Sequence, residues 1–342
     1  MTTPNAQTAG QHLKREIADS PAAFCRALTL SDASVAALET LDLAAVRGFY
    51  TIARGSSDAA ANILSYEFMR ETGKPMTSLP PSIFSTGQGV DLTGNATLVV
   101  SQSGASGDLV RSAKGAASRG SVVVGLVNQP GSDVQEAAHV TLPLNAGPEL
   151  AVPATKSVIA SIAAGMALLG YLVPDYATRA TASAKGVLAL EGVVHPRLGD
   201  ILASLSLAEH VYIIGRDTGF GAAQELALKL KETCALHAEA YASSEVLHGP
   251  LQLATRPLFV LILDTEEPEV QASLDAAEAR FGKIGTRVYR IRPSDVGAVN
   301  LTPAAAAAAL LCLTYPLVLD LALSLGLNPD HPETLSKVTQ TL

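Results

Sequence analysis

Apolar residues in this chain gather in short continuous runs. Each run is followed by a glycine- or serine-rich turn and then by a longer stretch with helical spacing. Phe49 to Ala53 is the first run, entering Arg54-Gly55-Ser56-Ser57-Asp58 and a helical stretch that Gly73 and Pro75 stop. Ala96 to Val100 is the second, followed by the turn SQSGASGD, a helix to Arg119, Gly120 as its stop, and a strand at Val122 to Val127. Strands alternating with helices predict a parallel sheet covered on both faces. The order recurs in the second half. There Val211-Tyr212-Ile213-Ile214 runs into Gly215-Arg216-Asp217 and a long helix, then a strand at Leu258 to Leu263 and another helix, as an internal duplication would. An Ala/Thr/Ser-rich stretch of helical pattern, Thr178 to Pro196, separates the halves. The expected division is an N-terminal helical segment (1–30), a first domain (31–177), a helical linker (178–197), a second domain (198–326) and a tail (327–342).

Composition narrows the classes. With 342 residues, 48% hydrophobic and 16% charged, the chain can bury two cores of ordinary size. A net charge of -8 and the lack of any Lys/Arg-rich run leave no basic footprint, so nucleic acid is not an expected partner. Cys25, Cys234 and Cys312 are widely spaced in apolar helical patterns and read as buried thiols, as in a reducing compartment. The N-terminus carries no apolar signal segment, and the run Ala304 to Leu313 is too short for a bilayer and reads as a buried helix. The cytoplasm, with no membrane partner, is the expected location.

The candidate chemistry sits in the turns. At the carboxyl ends of parallel strands, helix N-termini direct unpaired N–H groups and partial positive charge outward. Ser101, Gln102, Ser103 and Ser106 place hydroxyl and amide donors there, Gly104 permits close backbone approach, and Ser56 and Ser57 add a second cluster. Serine and glycine also cap helices and build turns, so each loop alone leaves both possibilities open. With neither a Walker lysine nor a GxGxxG spacing, a small phosphate monoester fits better than a nucleotide. On the expected helix Gly221 to Cys234, Glu225, Lys229 and Glu232 share the face opposite Leu226 and Leu230, a pattern equally compatible with a solvated face. Beyond it, HAEAYASSEVLHGP concentrates titratable residues at a helix end, the side chains that move protons near neutral pH; His237 alone reads as a structural hydrogen-bonder. No His/Cys/Asp cluster has ligand spacing, so neither metal nor cofactor is expected.

Six segments in order, ARGSSD, SQSGASGD, NQPGS, AGPELAVPATKS, ALKLKETCALHAEAYASSEVLHGP and NPDHPETLSKVTQTL, carry a resemblance. The chain resembles the tandem sugar-isomerase (SIS) domain family, the isomerase half of glucosamine-6-phosphate synthase and its glutaminase-free deaminase relatives. The resemblance implies two SIS domains, each a mainly five-stranded parallel sheet with helices on both faces, a flavodoxin-like three-layer α/β/α fold. It implies that Ser56, Ser57, Ser101, Gln102, Ser103 and Ser106 hold a sugar phosphate, with Gly55 shaping the first loop and Val152, Ala154 and Ser336 bordering the sugar. Glu232 matches the family's enolisation base, His248 its ring-opening histidine, Lys229 the contact to the open-chain sugar, and Lys337 a tail lysine that can form a Schiff base. The histidine would enter from a neighbouring subunit, implying a homodimer with shared sites. Two positions depart from the family: Ala154 replaces a usual serine, and Glu333 stands where the synthase has a basic residue. The chain starts at its SIS portion, without a glutaminase cysteine, so glutamine is not the expected nitrogen donor. The implied partner is a phosphorylated amino sugar or hexose 6-phosphate, and the implied activity is conversion of glucosamine 6-phosphate to fructose 6-phosphate and ammonia. A fructosamine-6-phosphate deglycase and a non-catalytic phosphosugar-binding regulator are the alternatives.

Overall fold

A computed structural model describes residues 9–337; the last residues of the tail motif, 338–342, lie outside the described region. In the first lobe β1 (Phe49–Ile52), β2 (Met76–Ser78), β3 (Ala96–Ser101), β4 (Val122–Val127) and β5 (Val140–Pro143) form a parallel sheet in the order β2-β1-β3-β4-β5. In the second, β6 (Val211–Gly215), β7 (Ala238–Ala242), β8 (Phe259–Leu263) and β9 (Arg287–Ile291) form another in the order β7-β6-β8-β9. The two orders superimpose element for element apart from β5, so the second sheet has four strands where five were expected. Two three-layer α/β/α units result, the first with flavodoxin-like strand order.

The apolar runs make these sheets because parallel strands are buried on both faces. Alternation at period two divides each strand between two cores. In β3, Leu98 and Val100 join a central core while Val99 joins an outer one; in β8, Leu261 and Leu263 face the central core, and Val260 and Ile262 face outward. The central core is continuous across both lobes, through the helices Ser56–Thr72, Lys156–Leu172, Thr218–Cys234 and Pro303–Ser324. Each lobe's outer face is covered by one long helix, Gly107–Ser118 or Pro268–Ile284.

The observed elements differ from expectation at several places. Pro303–Ser324 is 22 residues long and apolar enough by length and composition to cross a membrane, yet 83% of its apolar window is buried inside the protein, as befits a core helix. The Ala/Thr/Ser-rich stretch becomes the helix Pro174–Leu188, which buries Tyr176, Ala180, Ser183 and Val187, packs against the helices Gln11–Leu28, Lys156–Leu172 and Pro303–Ser324, and is followed by a non-helical turn. The segment AEAYA is not a helix end but β7, an edge strand that pairs with β6 from Val211↔Ala238 to Gly215↔Ala242. All three cysteines are free thiols, Cys234 and Cys312 buried and Cys25 half-buried.

Candidate active site

The loops after β1 and β3 leave adjacent strands at the point where the strand order reverses, and they flank the crevice where open parallel sheets take ligands. Gly55 turns the first loop at φ 53, ψ −125, a conformation that side-chain-bearing residues rarely adopt. In the second loop Ser101 Oγ accepts from Gly104 N at 2.9 Å and Ser103 Oγ from Ala105 N at 3.3 Å, so both hydroxyls are fixed by their own turn. Gly104, at φ +62, presses on the NQPGS loop: a Cβ there would lie 2.1 Å from Ser132 Oγ. Its carbonyl accepts from Val134 N at 2.9 Å, which ties the two loops together. Ser106 is the N-cap of the helix Gly107–Ser118 but makes no side-chain cap bond.

Facing these loops is a cavity of about 380 Å³. Gly55, Ser56, Ser57, Ser101, Gln102, Ser103 and Ser106 line it from the first-lobe loops, Val152 and Ala154 from the segment before Lys156, Lys229 and Glu232 from the second lobe, and Ser336 and Lys337 from the tail. Tertiary structure therefore gathers all but one of the expected site residues around one space. The exception is His248, which is exposed at the N-cap of the 3-10 turn Gly249–Thr255 and does not line its own chain's cavity.

The charged face of Thr218–Cys234 is not solvated. Glu225 and Lys229 are 0% and 1% exposed, Lys229 Nζ lies 3.8 Å from Glu225 Oε1 and is bonded to Glu232 Oε2, and the Glu232 side chain is the partly exposed member. Burial, reinforced by the charge of Glu232, pushes the Glu225 carboxyl up to about 7 against the pull of Lys229 and of hydrogen bonds from Ser56 and Tyr315. Tyr315 donates to Glu225 at 3.2 Å. Burial would lower the Lys229 ammonium, but the two carboxylates outweigh it and hold the group charged. The face thus pairs a fixed cation with a more accessible carboxylate at the cavity edge.

Lys337 donates to Ala151 O at 2.7 Å and to Glu149 Oε2 at 3.2 Å. Glu149 is itself buried, and its other oxygen accepts from Thr155 N and Ser157 N, capping the helix Lys156–Leu172. Asp330 anchors the start of the tail, accepting from Leu13 N at 2.8 Å through its side chain and from Val152 N at 2.9 Å through its carbonyl. Sequence inspection missed Arg54, Leu109 and Leu335 in the lining, and Glu149 as the partner of Lys337. Arg54 stood in plain view at a strand end; the role of Glu149 depends on a contact across 188 positions, which no local pattern reveals. Among the described residues no group of three or more His, Cys, Asp or Glu side chains is arranged to hold a metal ion.

The SIS domain model matches residues 42–170 and 204–286, one segment in each lobe. The chain belongs to the SIS domain family. The glutamine–fructose-6-phosphate aminotransferase (isomerizing) of Aeropyrum pernix is 30% identical over 98% of this SIS chain and 58% of its own length. The chain thus spans somewhat over half of that relative. A candidate phosphosugar isomerase from Silicibacter pomeroyi has the same structure with a TM-score of 0.82 at 29% identity, covering 93% of this chain and 99% of that one. The glucosamine-6-phosphate deaminase of Thermotoga maritima shares the fold, with a TM-score of 0.75 at 18% identity and coverage of 97% and 100%.

Proposed function

We propose that this SIS protein is an isomerising deaminase that converts glucosamine 6-phosphate and water to fructose 6-phosphate and ammonia. The observation that carries it is one cavity in which serine-rich loops at helix N-termini face a buried lysine and a carboxylate, Lys229 and Glu232. The phosphate would sit on Ser56, Ser57 and Ser101 to Ser106, held by hydroxyls and helix N-termini. That anchor fixes the distance from sugar carbon 2 to Glu232, the main entropic contribution of the site. Glu232 would take the carbon-2 proton and return it to carbon 1, while the Lys229 cation stabilises the negative charge developing on the carbon-1 oxygen. The aldehyde-amine becomes a ketose imine, and water adds to carbon 2 to expel ammonia. Exchange of the imine onto Lys337, after release from Glu149, is the covalent route to the same products. Ring opening would fall to His248 from a second copy, since the residue is exposed and does not line the cavity of its own chain; the reading therefore includes a homodimer with shared sites. The cytoplasm, where sugar phosphates are made and consumed, is the proposed location.

One observation favours a second activity. A neighbouring cavity of about 640 Å³ shares Glu232 and Leu335 with the first and extends past Lys231 and His331. It offers room for a substituent on the leaving nitrogen, as in a fructosamine 6-phosphate deglycase. Incubation with glucosamine 6-phosphate and with fructosamine 6-phosphates, followed by assay of ammonia, free amino acid and fructose 6-phosphate, separates the two. Equimolar ammonia and fructose 6-phosphate from glucosamine 6-phosphate is the expected result; a protein that binds both compounds and turns over neither would be a regulator instead.

A further inference from the structure

Arg54 lies between the end of β1 and Gly55 and lines the phosphate-side cavity with its side chain 47% exposed. Its Nε is bonded to Asp108 Oδ2, on the first turn of the helix Gly107–Ser118. The pair therefore bridges the two loops across the crevice. Asp108 is fully buried, and its second oxygen, Oδ1, has no hydrogen-bond partner. A carboxylate in the first turn of the helix whose N-terminus faces the ligand opposes any anion bound there. Arg54 supplies the compensating positive charge at the cavity wall, and the single bond from Nε leaves the two terminal amino groups of its fork with no protein partner among the described contacts. A guanidinium in the wall adds charge-assisted, fork-shaped donors for phosphate oxygens, and a full positive charge that gains more from a doubly than from a singly charged group.

We propose that Arg54 is a direct ligand of the phosphate, steered into place by Asp108, and that it sets the preference of the site for a dianionic monoester. The assignment rests on the phosphate-site reading above but not on the deamination chemistry. Binding of inorganic phosphate to the full chain, followed calorimetrically, is the primary measurement. Arg54→Met should weaken it roughly 10- to 100-fold, the scale of a charge-assisted hydrogen bond. The same change should raise KM for the phosphosugar. It should also flatten the gain in affinity for a phosphate monoester between pH 5 and pH 7, where such a group loses its second proton with a pKa of about 6.

Arg54→Met alone leaves Asp108 buried without its cation and can unfold the loops, so the deciding variant is Arg54→Met in an Asp108→Asn background. If Arg54 touches phosphate, the double variant still binds it at least about tenfold more weakly than Asp108→Asn and still loses the pH dependence. Equal affinities for those two proteins would overturn the assignment, leaving Arg54 as nothing more than the counter-ion of Asp108. Wild-type protein that binds no phosphate would remove the loop reading as well, whereas phosphate binding without ammonia release would remove only the proposed activity.

Discussion

In the first lobe the chain leaves β1 through Arg54-Gly55-Ser56, and in the second it leaves β6 through Arg216-Asp217-Thr218. Gly55 and Asp217 occupy nearly the same backbone conformation, φ 53, ψ −125 and φ 56, ψ −133. At Gly55 the turn has no side chain and its donors face a cavity. At Asp217 a carboxylate fills the turn, accepting from Thr218 N at 2.7 Å and pairing with Arg70 of the first lobe at 2.9 Å. The next crevice loop repeats the contrast. β3 ends on Ser101 and is followed by Gln102 and Ser103; after β8 come Asp264, Thr265, Glu266 and Glu267. Asp264 is fully buried, and although burial pushes its carboxyl up, donors from Gln271, Glu266 N, Arg290 and Arg292 bring it below the usual carboxylate range. The second lobe thus carries its own anions where the first keeps open donors. One topology makes two crevices, and the residues in the turns set them apart: neutral donors line the first, and carboxylates occupy the second.

The largest effect expected from testing this division is on chemistry. Glu232→Gln should lower kcat for ammonia release by roughly 10²- to 10⁴-fold. Phosphate affinity should stay within about twofold, because the first lobe supplies the anion site. Ammonia release at the normal rate would show that the second-lobe helix is not the reacting surface.

The helices that join the lobes predict a pH effect. Glu67 on Ser56–Thr72 is buried and, like Glu225, pushed up from 4.5 to about 7, chiefly by burial, although Tyr176 donates to it at 2.9 Å. A raised carboxyl binds its proton more tightly folded than unfolded, so stability is fully present below about 4.5 and is lost as pH rises through 7. Each group can account for up to roughly 3 kcal/mol over that window. Melting curves at pH 5 and pH 8 should show it, and Glu67→Gln, which keeps an acceptor for Tyr176, should remove about half the difference.

Smaller effects are expected in the turns themselves. Gly104→Ala brings a Cβ against Ser132 at a left-handed φ and should cost about 1–3 kcal/mol while raising KM for the phosphosugar. A variant with unchanged melting point and KM would mean that the loop tolerates far more movement than its packing implies. Asp217→Gly should change stability by no more than about 1 kcal/mol, since relief of the left-handed backbone offsets the lost cap and ion pair. It should create no second phosphate site, because Asp264, Glu266 and Glu267 remain; two phosphates bound per chain would show that Asp217 alone closes that crevice.

Legibility in the sequence followed burial. Continuous runs such as TLVV in β3 and FVLIL in β8 announced central strands because both faces are covered. The edge strands β2, β5, β7 and β9 passed unseen, being short or half-exposed; AEAYA in particular has the composition of a helix and pairs only because β6 lies beside it. The serine loops were readable as turns between strand and helix, but serine and glycine there also cap helices, so the loops alone did not decide for an anion site. The face Glu225-Lys229-Glu232 was not decidable, since identical spacing serves a solvated surface and a buried ion cluster.

What the sequence by itself determined was local: the strand–turn–helix order of both halves, the glycines at strand ends, the serine donors of one half and the acids of the other. These are set by backbone sterics and by side-chain chemistry within a few positions. Tertiary structure alone decided that Lys229 is buried rather than solvated, that Lys337 reaches Glu149 across the chain, that His248 lies outside its own cavity, and that Arg54 spans the crevice to Asp108. Each of these depends on long-range packing, whether of neighbouring loops in one sheet, of the tail on the first lobe or of one lobe on the other, which no local window of residues encodes.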